Sequence, residues 1–188
     1  LEKFNRALIE VCEGQALDLS FQEEYNISIN DYIKMIDKKT GYMIGLSAEL
    51  GAIISNSSIE IQKNLKKYGM LLGRAFQIQD DLFEVISNSN IMGKSLKSDF
   101  LLNKKTYLTV QANLILKKKI DEFIKIAKND YNYGFKLYKD FLLKNNIINK
   151  TEDVIKSILD DANKTLIGCN LESGALFDYT KLILQRKC

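Results

Sequence analysis

Not one of the 188 residues is a proline, and apolar side chains recur along most of the chain at the spacing of one helix face. Proline is normally about one residue in twenty, and losing it removes the strongest interior breaker of a helix. Long unbroken helices are therefore expected. Phe4, Leu8, Val11 and Cys12 open the pattern, and Ile33, Ile36, Met43, Ile44 and Leu50 continue it. The longest periodic segment is 59–86, with only Gly69 and Gly73 inside it; Ser57 and Ser58 precede it as N-cap candidates, with Gln62 at capping-box spacing. Further amphipathic segments are read over 107–128, 133–145, 151–167 and 175–185, with joints at 145–146 and 168–174 and a loop over 87–98. Strand-type alternation is scarce and no repeat is found. The composition is 46% hydrophobic and 27% charged, which suits one all-α domain over residues 1–188.

Several classes of chemistry are excluded. The chain has no histidine, so a Ser-His-Asp triad, a Cys-His dyad and a His-ligated zinc cannot be built from it. The net charge of +3 is too slight to argue for nucleic-acid binding. Cys12, Cys169 and Cys188 are odd in number and far apart, so no disulfide framework is read and a reduced, cytoplasmic setting is expected. The most apolar stretch, 42–55, contains Glu49 and falls short of the roughly 20 residues that a membrane span needs. The first residues carry Glu2, Lys3, Arg6, Glu10 and Glu13 among apolar ones, unlike a signal peptide. The start is expected to be a cut inside a domain.

Carboxylates carry the strongest chemical signal. In Phe76-Gln77-Ile78-Gln79-Asp80-Asp81-Leu82-Phe83-Glu84, helical spacing puts Asp80 and Asp81 within three or four positions of Glu84. Like charges so placed repel, and a divalent cation would reverse the sign. Hard oxygen donors suit Mg²⁺, which tends to bridge to substrate phosphates. A solvated acidic face is the alternative reading, but the surrounding Phe76, Ile78, Leu82, Phe83, Val85 and Ile86 imply a buried helix whose charges need partners. Downstream come Gly93-Lys94, Ser98-Asp99 and Asn103-Lys104-Lys105-Thr106, and upstream Lys39-Thr40 interrupts an apolar helix. Lysines beside a carboxylate stripe fit a polyanion such as diphosphate. The triplet Lys117-Lys118-Lys119 is read as a solvated face.

In order and spacing, Gly14-Gln15-x-x-Asp18, Lys39-Thr40, Phe76-Gln77-x-x-Asp80-Asp81-x-x-Glu84, Gly93-Lys94, Ser98-Asp99 and Lys104-x-Thr106 resemble the trans-isoprenyl diphosphate synthases. These are the polyprenyl synthetases that make farnesyl and geranylgeranyl diphosphate. The resemblance covers nearly the whole chain as the C-terminal portion of such an enzyme. It implies an all-α isoprenoid-synthase bundle around a central cavity, with the N-terminal helices missing, and a homodimer. It implies Mg²⁺ as cofactor, and allylic and isopentenyl diphosphates as substrates. Asp80, Asp81 and Glu84 correspond to the second aspartate-rich motif, which holds metal. Lys39, Gln77, Lys94 and Lys104 look like diphosphate contacts, and Thr40 corresponds to a position beside the allylic carbon. Gln15 resembles a residue of the opposite cavity wall, and Arg186-Lys187 is similar to a basic tail that closes over substrate.

Glu84 stands where the family commonly has Asp, and Lys97 where Gly is usual. The family's first aspartate-rich motif lies upstream of the Gly14-Gln15 helix, before Leu1. Three explanations compete: a fragment of a complete synthase, expected to be inactive alone; a non-catalytic partner subunit; or a terpene cyclase of the same fold, which Lys39-Thr40 and Lys94 suit less well.

Overall fold

A computed structural model describes residues 1–24, 26–87, 100–116, 118–171 and 174–186. Among the described residues there are only helices and connecting turns: α1 (Glu2–Ser20), α2 (Ile29–Ile36), a π-helical turn (Asp37–Gly41), α3 (Tyr42–Ile54), α4 (Ile59–Ile86), α5 (Tyr107–Ile115), α6 (Lys119–Asn129), α7 (Tyr131–Lys144), α8 (Ile147–Ile167) and α9 (Ala175–Gln185). The all-α expectation is met. None of the described helices is long and apolar enough to cross a membrane.

Boundaries follow local polar chemistry. Ser28 Oγ accepts the Asp31 amide, and Asp31 Oδ2 accepts the Ser28 amide in return, a capping box that starts α2. Ser58 Oγ accepts the Ile61 amide at the head of α4, while the Gln62 side chain donates to the Ser57 carbonyl and does not close the expected box. The single segment read over 107–128 is in fact two helices, because Lys118 adopts a left-handed φ of 64° and ends the ladder between α5 and α6. Asp130 caps α7 through the Tyr133 amide. Asn146, with φ of 57°, makes the expected joint, and α8 begins at Ile147, a turn earlier than its sequence pattern indicated. Lys118 is exposed as anticipated, Lys119 is only half-exposed with its ammonium paired to Glu122, and Lys117 lies outside the described residues.

Two compact units are distinguished. The first comprises 1–17, 33–77 and 154–187; the second comprises 18–32 and 78–153. In the first unit, Ala52, Leu65, Tyr68, Ala162 and Leu166 form a buried cluster, and Tyr68 donates its hydroxyl to the Leu176 carbonyl at 2.5 Å. Glu49, the charge inside the apolar stretch, is buried against Lys3 at 2.5 Å and Lys66 at 3.4 Å. In the second unit, aromatic rings dominate: Phe100 stacks on Tyr138 with centroids 4.9 Å apart, and Phe123 meets Phe141 at 5.8 Å.

Within the first unit, the chain around Gly41 and Gly45 packs on α4 at Gly69 and Gly73. A Cβ on Gly69 would lie 2.7 Å from the Ile44 carbonyl oxygen, and one on Gly73 would lie 2.8 Å from the Gly41 Cα. Both obstacles are backbone, which cannot rotate aside. Gly69→Ala is expected to destabilise by about 2 kcal/mol through overpacking. Gly51→Ala, at an exposed α3 position with nothing within 4 Å of the new methyl, should instead stabilise by about 0.5–1 kcal/mol. Urea unfolding of the two variants gives opposite signs if glycine is needed for close approach.

Glu10, buried on α1, accepts from Lys38 at 2.5 Å and pairs with Arg6 at 2.6 Å. The bond from Lys38, reinforced by Arg6, holds its carboxyl below the usual carboxylate range despite burial, which acts the other way. A folded-state value below the unfolded one supplies stability above the usual range and loses it as pH falls through the folded value. Glu10→Gln should therefore flatten the acid limb of the stability profile and leave its alkaline limb unchanged.

Candidate functional site

Gln77, Asp80, Asp81 and Glu84 all lie on α4, as the spacing predicts. The three acids have different environments. Asp81 is buried and its Oδ2 accepts two hydrogen bonds, from the Tyr32 hydroxyl at 2.6 Å and from the Tyr107 amide, at the head of α5, at 2.7 Å. An anionic oxygen at a helix N-terminus satisfies an otherwise orphaned amide and meets the positive end of the dipole. Burial, with Asp81 beside it, drives the Tyr32 phenol well above its ordinary range, so it remains a donor at every physiological pH. The Tyr32 and Tyr107 rings meet edge to face at 5.7 Å. Asp80 and Glu84 are half-buried.

Glu84 and Lys104 line one small cavity with Asp81, Thr106 and Tyr138. Its volume is about 20 Å³, room for a single water molecule. The Tyr138 hydroxyl is buried beside these acids, and burial raises its titration far beyond the ordinary phenol range. Thr106 caps α5, its Oγ1 accepting from the Thr109 amide at 3.2 Å. Lys105 turns inward and donates to the Asn103 carbonyl at 3.4 Å, and burial lowers its ammonium titration. Thus the two adjacent lysines diverge, Lys104 to the cavity beside Glu84 and Lys105 to the interior.

In the first unit, Lys39 and Thr40 are not on a regular helix as expected but on the π turn. Thr40 Oγ1 donates to Gln77 Oε1 at 3.2 Å, which joins two predicted residues 37 positions apart. Lys39 is half-buried, and its backbone presses on Gly14 of α1 so closely that no side chain fits there. Gln15, beside it, is exposed on α1, while Asp18 is buried. Arg186 sits with its guanidinium 4.7 Å from the Phe76 ring centroid. Lys94, with Gly93, Lys97, Ser98 and Asp99, lies outside the described residues, as does Lys187.

The donor set can be tested for metal. Among the described residues, no three acidic or sulfur ligands are gathered closely enough to hold an ion by themselves. Glu84 supplies hard oxygens to the cavity that Lys104 also lines, Asp80 stands one turn before it on α4, and Asp81 Oδ2 is already engaged. That set fits a cation such as Mg²⁺, which keeps several waters and completes its shell on a bound anion. It does not suit an ion that demands a full protein cage.

Residues missed from sequence alone include Tyr32, bonded to Asp81, and Arg74, whose guanidinium donates to both carboxylate oxygens of Asp37 on the π turn. Their roles come from partners far along the chain, and none carries a local motif. Thr106-x-x-Thr109 is a capping pattern that sequence could have found.

A family model for polyprenyl synthetase matches residues 1–136. The geranylgeranyl pyrophosphate synthase of Geoglobus acetivorans is 39% identical over 112 residues, 60% of this chain and 35% of that protein. The geranylgeranyl diphosphate synthase of Sulfolobus acidocaldarius is 25% identical over 98% of this chain and 58% of its own length. Among solved structures, the geranylgeranyl pyrophosphate synthetase of Pyrococcus horikoshii superposes with a TM-score of 0.86 and 31% identity, covering 100% of this chain and 58% of that one. The chain thus spans under two thirds of the length of each of these relatives.

Removing the shared acceptor should be costly. Asp81→Ala leaves the Tyr32 hydroxyl and the Tyr107 amide buried without a partner, an expected loss of about 3 kcal/mol, whereas Tyr32→Phe removes one donor and costs about 1–2 kcal/mol. Denaturant titration distinguishes the two; losses below about 0.5 kcal/mol for both would mean that water replaces the carboxylate.

Proposed function

Because the chain belongs to the polyprenyl synthetase family, we propose that it serves a prenyltransferase that condenses an allylic diphosphate with isopentenyl diphosphate. The product is a short-chain prenyl diphosphate, in keeping with relatives named as geranylgeranyl and geranylfarnesyl diphosphate synthases. The observation that carries the reading is the position of Gln77, Asp80 and Glu84 on one helix, with Gln77 bonded to Thr40. These residue types bind a polyanion and its counterion.

Asp80 and Glu84 are the proposed direct metal ligands. Asp81 belongs to the same acidic set; with its Oδ2 engaged by Tyr32 and Tyr107, its share in metal binding would come through its other oxygen or through orientation of Asp80. Mg²⁺, when bound, would neutralise diphosphate charge and so make it a better leaving group. Lys39, Lys94 and Lys104 would hold the diphosphate through their ammonium groups, with Gln77 as a further polar contact. Thr40 would stand beside the allylic carbon. Gln15 is assigned a substrate-binding part on the family pattern alone. The proton lost in condensation is assigned to the released diphosphate. The proposal carries with it a cytoplasmic homodimer.

The test uses protein expressed from the complete reading frame, incubated with Mg²⁺, labelled isopentenyl diphosphate and a series of allylic diphosphates. Chain-extended diphosphates are expected, and none should form after chelation of Mg²⁺. Asp80→Ala should lower kcat/KM by about 10²–10³-fold. Asp160→Ala, on an exposed α8 position, should leave it within a factor of about two. Equal effects of the two substitutions would remove the case for a metal-dependent site.

A further inference from the structure

The π turn that carries Lys39 and Thr40 joins α2 to α3 without a loop. Its closing bond runs from the Tyr42 amide to the Asp37 carbonyl, five residues back. A π turn holds one residue more than the α-helix that could replace it, and such single turns recur at functional sites. That residue shifts the phase of the succeeding helix by about 100°, since 3.6 residues make a turn. If the segment relaxed to α-helix, Lys39 and Thr40 would therefore be presented in a different direction. Something must keep the π register in preference to the α register.

Arg74 on α4 reaches the first residue of the turn. Its Nε donates to Asp37 Oδ1 at 2.8 Å and its Nη2 to Asp37 Oδ2 at 2.6 Å, a two-point fork on the first residue of the π turn. Three residues later on α4, Gln77 accepts from Thr40, three residues later on the turn. Positions three apart on a helix share a face, so one face of α4 holds the π turn near both ends. Backbone contacts assist: Gly41 packs 3.2 Å from the Met70 carbonyl, measured to the Cβ it lacks. Lys38 reaches Glu10 and Glu13 on the other side, each at 2.5 Å.

We propose that Arg74 is a positioning residue which, through Asp37, locks the π register of 37–41 and thereby the orientation of Lys39 and Thr40 toward diphosphate. The inference rests on the reading that Lys39 binds diphosphate, but it concerns two residues outside every motif of that reading. A lysine at position 74 would provide one point charge in place of a planar fork.

The test compares Arg74→Met, Arg74→Lys and Lys39→Ala in protein from the complete reading frame. Hydrogen exchange at the amides of 38–42 reports how firmly the turn is held, without ligand. Binding of inorganic pyrophosphate in the presence of Mg²⁺ reports its consequence. Arg74→Met is expected to speed exchange at these amides at least tenfold and to weaken pyrophosphate binding about tenfold, in line with the cost of a misplaced binding group. Arg74→Lys should recover part of both. If Arg74→Met lowers only the unfolding midpoint and leaves exchange and binding as they were, the pair is merely structural and the proposal falls. Lys39→Ala judges the underlying reading separately: unchanged pyrophosphate binding there overturns the diphosphate role of Lys39, whatever Arg74 does to exchange. Should Arg74→Met not fold, Asp37→Asn keeps the shape, removes the charge and is read in the same way.

Discussion

In the first unit the polypeptide around the π turn lies against α4 with almost no side chain between them, and the placement of Thr40 depends on that contact. Gly69 and Gly73 offer bare backbone to Ile44, Gly45 and Gly41, so the two segments approach until peptide groups touch. At that separation a short threonine hydroxyl reaches Gln77 across the gap, and Arg74 reaches Asp37 with both prongs of its fork. A side chain of ordinary size at Gly69 or Gly73 would hold the segments apart and put those partners beyond hydrogen-bond range.

The second unit is organised by a buried anion. Asp81 has lost most of its contact with water, which is expensive for a carboxylate unless its lone pairs are filled. Tyr32 and the first amide of α5 fill two of them. In return Asp81 ties the residue that ends one stretch, 18–32, to the start of α5, close to Thr106 and Lys104. Neighbouring acids thus divide the work: Asp81 points to a helix end and a phenol, while Asp80 and Glu84 retain partial exposure. The mutual repulsion of crowded acids is eased by this separation of environments.

Much of the architecture was legible because periodicity and capping act over a few residues. The 28-residue α4 was visible from Ile59 to Ile86, its acids fell at the expected helical spacing, and Asn145-Asn146 marked a joint. The split between α5 and α6 was not legible, since it depends on one lysine adopting a left-handed conformation that its side chain does not advertise. Nor was the π turn: Ile36, Met43 and Ile44 are spaced as they would be on an unbroken α-helix, and the groups that hold the turn lie far along the chain on α4. Within the candidate site, the residue types and order could be read, whereas the separate function of Asp81 could not. Its partners lie 49 and 26 positions away.

Sequence alone was sufficient for an all-helical chain without imidazole chemistry, with an acid-rich segment on its longest helix and lysines and amides suited to a polyanion. Those properties depend on which residues occur and how far apart they stand along one strand of backbone. Tertiary structure decided which acid would be consumed by folding, which lysine of an adjacent pair would turn inward, and which arginine would grip the turn that carries Lys39 and Thr40. Each of these choices is settled by a partner brought close through packing of distant segments, and a hydrogen bond's energy depends on its geometry and surroundings, whatever the intervening chain length.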